Sequence, residues 1–157
     1  MVYFKNDGGQ IIVTCSLFNE DNVQIIDSAM NWKIALQKAS EPLLKANIIT
    51  PKYVASMIES IKKNGPYMVL TDYFALMHAR PGDGVNKMGM SLLVSRNPID
   101  LEGKPVKIFL VMAAIDNTSH LQSLQKVISI FMDTESYKTI LSANKSAIIS
   151  MFRKVKG

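Results

Sequence analysis

Only two histidines, His78 and His120, occur in this chain of 157 residues. Imidazole is the side chain best suited to act as nucleophile or proton carrier near neutral pH. His78 follows the apolar stretch Phe74-Ala75-Leu76-Met77 and precedes Ala79-Arg80-Pro81-Gly82-Asp83-Gly84. That Pro/Gly-rich sequence predicts a loop, so His78 is expected at the mouth of a strand, accessible to a partner. His120 lies three residues past Asn117. If Asn117 caps a helix, His120 falls in its first turn, where free backbone N–H groups and the helix dipole favour an anion. The same field disfavours imidazolium and predicts a neutral ring. Two rings at element ends, with Arg80 close to one and a helix start close to the other, raise a catalytic role above what a lone histidine carries.

Other chemistries find less support. The single cysteine, Cys15, excludes an intramolecular disulfide and a zinc site built from several thiolates. Two histidines without His-x-x-x-His or nearby carboxylate spacing do not complete a catalytic metal site, so a metal site is not expected. No G-x-S-x-G elbow is present, and Gly82-Asp83-Gly84 is too short for a phosphate-binding P-loop. A hydrophobic fraction of 48% with 20% charged residues excludes intrinsic disorder. The net charge of +5 is spread along the chain, with a modest cluster at Lys145, Arg153, Lys154 and Lys156. No aromatic residues interleave with it, so a nucleic-acid role is not expected. The longest strictly apolar run, Ile108 to Ile115, is eight residues, far short of the roughly 20 that span a bilayer. With no charged and apolar leader pattern in MVYFKNDGGQ, a single cytoplasmic domain over 1–157 is the expectation.

The elements that must position the histidines follow from periodicity. Gln10 to Thr14 reads as a strand, and Asn31 to Ala39 as an amphipathic helix. Ser40-Glu41-Pro42 predicts a fresh helix start. Thr50-Pro51 opens a helix with an apolar face of Tyr53 or Val54, Met57, Ile58 and Ile61, and Asn64-Gly65-Pro66 ends it. Tyr67 to Leu70 and Phe74 to Met77 read as short strands around Thr71-Asp72. Met88 to Ser95 and Val106 to Ala114 read as longer ones, joined by a hairpin-like connector over Asn97 to Pro105. Asp116-Asn117-Thr118 caps a helix through Phe131, Asp133 or Thr134 starts a short one, and Asn144 the last. The predicted class is α/β, with a mixed central sheet of about five strands flanked by helices on both sides.

The segment Ala75-Leu76-Met77-His78-Ala79-Arg80-Pro81-Gly82-Asp83-Gly84-Val85 resembles the active-site segment of the mannitol/fructose class of enzyme IIA components of the bacterial phosphoenolpyruvate-dependent sugar phosphotransferase system. Its His-Ala-Arg-Pro sequence looks most like the L-ascorbate branch. Ala113 to Leu121 resembles the second histidine motif of that family, and Ser40 to Leu44 and Thr50 to Ile58 resemble its early helices. The resemblance implies a phosphotransferase in which His78 takes a phosphoryl group at Nε2 from the histidine phosphocarrier protein. His78 then passes it to a cysteine of a IIB component that serves a membrane IIC component. It further implies that Nδ1–H bonds a backbone carbonyl, that His120 stabilises the phosphoryl oxygens and that no metal or organic cofactor is needed. Arg80 and Ser119 are candidate phosphate or partner contacts, with capping the expected role of Ser119, which lies in the helix turn of His120. The alternative on this fold is a regulatory protein whose phosphorylation state controls a partner. Where the family carries glycine this chain has Tyr73, and where it has proline before the histidine this chain has Met77. A net charge of +5 predicts docking through locally segregated charge or through apolar residues such as Met77, Met88 and Met90.

Overall fold

The computed structural model describes residues 2–5, 11–14 and 18–154, with side chains from Phe18 onward except those of Ser119, Ser123 and Lys154. In chain order the elements are β1 Val2–Lys5, β2 Ile11–Thr14, β3 Val23–Ile26, α1 Trp32–Lys45, α2 Pro51–Asn64, β4 Val69–Thr71 and β5 Tyr73–Met77. They continue with β6 Gly89–Leu101, β7 Lys104–Ala113, α3 Asn117–Met132, α4 Thr134–Leu141 and α5 Lys145–Lys154.

Strand β7 shows why the helices form two layers. Val106, Phe109, Val111 and Ala113 enter one core with Trp32, Leu36 and Leu43 of α1 and Tyr53, Met57 and Ile61 of α2. Ile108, Leu110 and Met112 enter the other core with Val127 and Phe131 of α3, Ile140 of α4 and Ile149 and Phe152 of α5. Alternating side chains of an apolar central strand must be covered on both faces. The sheet order is β3-β6-β7-β5-β4. β3 runs parallel to β6 and β5 parallel to β7, whereas β6 is antiparallel to β7 and β4 to β5. The expected mixed sheet with helices on both faces is therefore present.

Its membership differs from the sequence reading. The strand expected over 10–14 is β2, which pairs antiparallel with β1 in a separate two-stranded sheet. Gln10 itself lies outside the described residues. Its place in the central sheet belongs to β3, too short at four residues for its alternation to stand out. The connector expected over Asn97 to Pro105 is largely strand. β6 continues past an irregularity between Val94 and Ile99, and the turn is only Glu102-Gly103, both at positive φ (49° and 99°). Two left-handed residues match the strand twist of a tight hairpin.

The fresh helix expected at Ser40 does not occur, because α1 is continuous with Pro42 inside it. Proline cannot donate to the carbonyl four residues back. Here the side-chain amide of Gln24 donates to that Lys38 carbonyl at 2.8 Å. The neighbouring Ala39 carbonyl accepts from the hydroxyl of Ser91, a fully buried residue of β6. These side-chain donors, with the uninterrupted buried face Ala35, Leu36, Ala39 and Leu43, let the helix run through proline. Tyr73 adopts φ 67°, the left-handed region in which a side chain costs roughly 1–2 kcal/mol. A glycine would sit there freely. Lys107 Nζ lies 5.3 Å from the centroid of the Tyr73 ring and the Tyr137 hydroxyl donates to the Asp72 carbonyl, so contacts on both sides hold this turn.

Ser91→Ala is expected to lower unfolding free energy by about 1 kcal/mol, the usual net loss for a hydrogen bond. Denaturant unfolding measures it, and an unchanged midpoint would show that Ser91 does not support the helix around Pro42.

Candidate functional site

Parallel neighbours end at the same edge of a sheet. β5 and β7 are such a pair, with Met77 opposite Val111, and antiparallel β6 begins at that edge with Gly89 opposite Ala113. His78 is the first residue after β5, and α3, which follows β7 after a short link, carries His120. The crevice beyond the carboxyl ends of parallel strands is the general location of binding sites in α/β sheets. The two rings lie there with centroids 5.6 Å apart and planes inclined at 47°. They share a cleft with Ser56, Ser60, Tyr67, Ala79, Arg80 and Pro81.

The His78 ring is oriented by its own strand. Nδ1 lies 2.8 Å from the Leu76 carbonyl oxygen, which can only accept. Nδ1 therefore carries the proton and Nε2 the lone pair, on a half-buried ring at the cleft. The Tyr67 ring stands perpendicular to it, with centroids 6.4 Å apart.

The backbone after His78 is tethered on both sides. Tyr53, 1% exposed, accepts the Ala79 N–H at 3.0 Å through its hydroxyl and donates to the Met112 carbonyl of β7 at 2.6 Å. Burial pushes the Tyr53 phenol up from its ordinary value, with the Ala79 N–H opposing, so the group stays a neutral O–H that can do both. Further along, the Gly82 N–H donates to the Ala114 carbonyl at 3.0 Å, joining the loop after β5 to the one after β7. Gly82 has φ 93°, and a Cβ there would meet the Ile115 carbonyl oxygen at 3.1 Å, so glycine is required. The Gly84 carbonyl accepts from the Thr50 N–H at 2.9 Å and from the Thr50 hydroxyl at 3.3 Å. Thr50 thus holds the loop and makes no side-chain cap on α2, although it stands at the cap position.

Helix α3 begins at Asn117, one residue earlier than a cap at Asn117 would place it, and the His120 N–H donates to the Asp116 carbonyl at 3.0 Å. His120 is still in the first turn. Its pKa is lowered from the ordinary 6.5, first by burial and then by the neighbouring His78 ring. Arg80 is exposed and lines the cleft. The side chain of Ser119 lies outside the described residues. Among the described residues, no group of three or more His, Cys, Asp or Glu side chains could hold a metal. No helix among the described residues is long and apolar enough to cross a membrane.

Two expectations fail. Met77 is fully buried and Met90 only 6% exposed, both in the cores, so they offer no docking surface. Met77 is the last residue of β5 and Met90 the second of β6, in a sheet covered on both faces. Apolar residues that do reach solvent near the histidines are Tyr67, Ile115 and Leu121, 48%, 50% and 55% exposed. Periodicity assigned Tyr53 to the apolar face of α2 and missed its hydroxyl. Ser56, Ser60 and Tyr67 were not singled out as site residues. The available signal was the spacing of Tyr53, Ser56 and Ser60, whose i, i+3, i+7 pattern aligns three hydroxyls along one helical stripe.

The chain is 28% identical over 126 residues to the ascorbate-specific PTS system EIIA component of Escherichia coli (strain K12), covering 78% of this chain and 82% of that one. It superposes on the solution structure of the mannitol-specific cryptic phosphotransferase enzyme IIA CmtB from Escherichia coli with a TM-score of 0.80 and 29% identity. That match covers 87% of this chain and 95% of CmtB. The mannitol enzyme IIA of Escherichia coli in complex with phosphorylated enzyme IIB shares the fold, at TM-score 0.64 and 18% identity over 81% of this chain and 98% of that one. Residues 16–155 match the family described as phosphoenolpyruvate-dependent sugar phosphotransferase system, EIIA 2. With that match spanning both histidines and nearly all of the α/β sheet, the chain belongs to the EIIA 2 family of the phosphoenolpyruvate-dependent sugar phosphotransferase system.

Proposed function

We propose that this protein is a cytoplasmic phosphohistidine carrier. It would accept a phosphoryl group on His78 from the histidine phosphocarrier protein and pass it to a IIB cysteine for uptake of L-ascorbate or a related sugar. The observation that carries this reading is the 2.8 Å contact between His78 Nδ1 and the Leu76 carbonyl. It leaves Nε2 as a lone-pair nucleophile at a solvent-facing cleft, opposite a second ring that stays neutral. The ascorbate assignment rests on the ascorbate-specific relatives and on His78-Ala79-Arg80-Pro81. The IIB partner rests on family membership, a phosphorylated IIB being the companion of the mannitol enzyme IIA in complex.

In the first step the Nε2 lone pair attacks phosphorus on the phosphoimidazolium of the carrier. The donor P–N bond breaks, its electron pair returns to the carrier nitrogen, and the carrier ring leaves neutral. His78 keeps its Nδ1 proton on the Leu76 carbonyl throughout and becomes a phosphoimidazolium, which is a good leaving group. In the second step a cysteine thiolate attacks phosphorus, the S–P bond forms, and the P–N pair returns to Nε2. Phosphoryl transfer depends chiefly on positioning and on stabilising oxygen charge. We assign that role to His120 and Arg80, which line the cleft with His78, while Tyr53 holds the backbone beside the nucleophile.

After incubation with phosphoenolpyruvate, enzyme I and the phosphocarrier, mass spectrometry is expected to find one acid-labile phosphoryl group on His78. The adduct should be absent from His78→Gln; a phosphoryl group on another residue would overturn the assignment. In His120→Ala the adduct should form but move to IIB on the order of a hundredfold more slowly, the loss typical of one transition-state donor.

The His120 titration followed by NMR is expected to lie below 6.5 and to move part of the way back in His78→Gln, because burial, the larger cause, remains. Phosphorylation of His78 places a dianion beside the ring and should raise its pKa. As pH falls through the ordinary histidine value, the unfolded chain takes up this proton before the folded one does. His120 therefore makes the unphosphorylated protein less stable on acidification. A midpoint indifferent to both His78 substitution and phosphorylation would separate the two rings functionally.

Tyr53→Phe removes both hydroxyl contacts, with an expected loss of roughly 2 kcal/mol in stability. It should also slow phosphorylation of His78 about tenfold, the direction expected when a nucleophile loses its positioning. Wild-type transfer rates in that variant would show that the Ala79 tether does not position the histidine.

A further inference from the structure

The stripe of hydroxyls on α2 ends at a contact that transfer between two histidines does not require. Ser60 Oγ and the Tyr67 hydroxyl lie 2.7 Å apart, and both residues line the cleft of His78, Arg80 and His120. Each hydroxyl carries a single proton. When two hydroxyls bond one another, one proton is used between them and one remains to donate outward. Either hydroxyl can be the donor of that contact. With an anion in the cleft the phenol, the more acidic of the two, is the better donor to it, and Ser60 then donates to Tyr67. Tyr67 is 48% exposed, and its ring stands edge-on to His78. Its hydroxyl can therefore be reached by an anion that enters the cleft, and the pair can reorient so that Tyr67 donates to it.

We infer that Tyr67, oriented by Ser60, is a phosphoryl-binding residue that donates a hydrogen bond to the oxygens carried on His78. This rests on the phosphohistidine reading above. The pair brings two neutral hydroxyls to the cleft from α2 and from the segment before β4, whereas His120 comes from α3. A neutral donor binds the phosphoryl group without adding the cation that would raise its cost of release. That suits a group that must arrive and leave.

The test compares equilibria. A fixed pool of phosphorylated histidine phosphocarrier is mixed with wild type, Tyr67→Phe, Ser60→Ala and the double variant, and the phosphohistidine on His78 is quantified by 31P NMR at equilibrium. Docking contacts alter how fast this equilibrium is reached and leave the constant between the free proteins unchanged, so a surface role for Tyr67 would not move it. Phenylalanine keeps the ring beside His78, and at this exposure the fold is not at stake. Tyr67→Phe is expected to shift the constant about tenfold toward the carrier, as for one hydrogen bond to a charged group. Ser60→Ala should shift it less in the same direction, and the double variant no further than Tyr67→Phe, because the two act as one donor. The 31P resonance should also move in Tyr67→Phe. A wild-type constant and resonance in Tyr67→Phe would overturn the inference while leaving the carrier reading intact. No phosphohistidine on wild-type His78 would overturn both.

Discussion

Everything at the site depends on the parallel pairing of Tyr73–Met77 with Val106–Val111. Parallel strands deliver their following residues to the same edge, so His78 and the helix carrying His120 meet although 41 residues of other structure separate them in the chain. The pairing lies between two apolar layers and contains the fully buried Ala75, Leu76, Phe109, Leu110 and Val111. A register slip of one residue would send Leu76 to the opposite face and carry its carbonyl away from the histidine ring. The energy of the core and the geometry of the site are thus the same constraint seen from two sides.

A second consequence is preorganisation. The loop after His78 has a Pro/Gly-rich composition, yet its backbone is held at Ala79 by Tyr53, at Gly82 by the Ala114 carbonyl and at Gly84 by Thr50. An exposed ion pair between Lys52 and Asp83 at 2.9 Å adds little to this, since both groups are well solvated. Polar groups held in place before the reaction need not reorganise during it, and this is where electrostatic catalysis is most effective. Met77, where the resemblance implies a proline, fits the same logic. Met77 is fully buried, closes β5 opposite Val111, and has its rigidity from the sheet and from the tether on Ala79.

Much of this was legible in the residues. Thr50-Pro51 and Asn64-Gly65-Pro66 bound α2 because a first-turn proline and a glycine at positive φ are local effects, even though the Thr50 side chain makes no cap. His78 at a strand mouth and His120 in a first turn were legible for the same reason. Pro42 was misread because the donors that accommodate it, Gln24 and Ser91, lie 14 and 52 residues away from their acceptors. β3 was missed because four residues paired at the edge of a sheet carry too little periodicity of their own. Tyr53 looked like apolar face because helical spacing places its ring in the core and says nothing about where its hydroxyl ends.

The sequence by itself determined the chemistry available: two imidazoles, one loop arginine, a hydroxyl stripe on one helix, and alternating apolar strands that demand cover on both faces. These are properties of residue type and local spacing, and they persist whatever the rest of the chain does. Tertiary structure alone decided which of those groups meet. The 5.6 Å between the imidazoles, the Tyr53 bridge from α2 to β7 and the Ser60–Tyr67 pair depend on strand order and on packing of helices against the sheet. Long-range burial selects that order, and no window of neighbouring residues contains it.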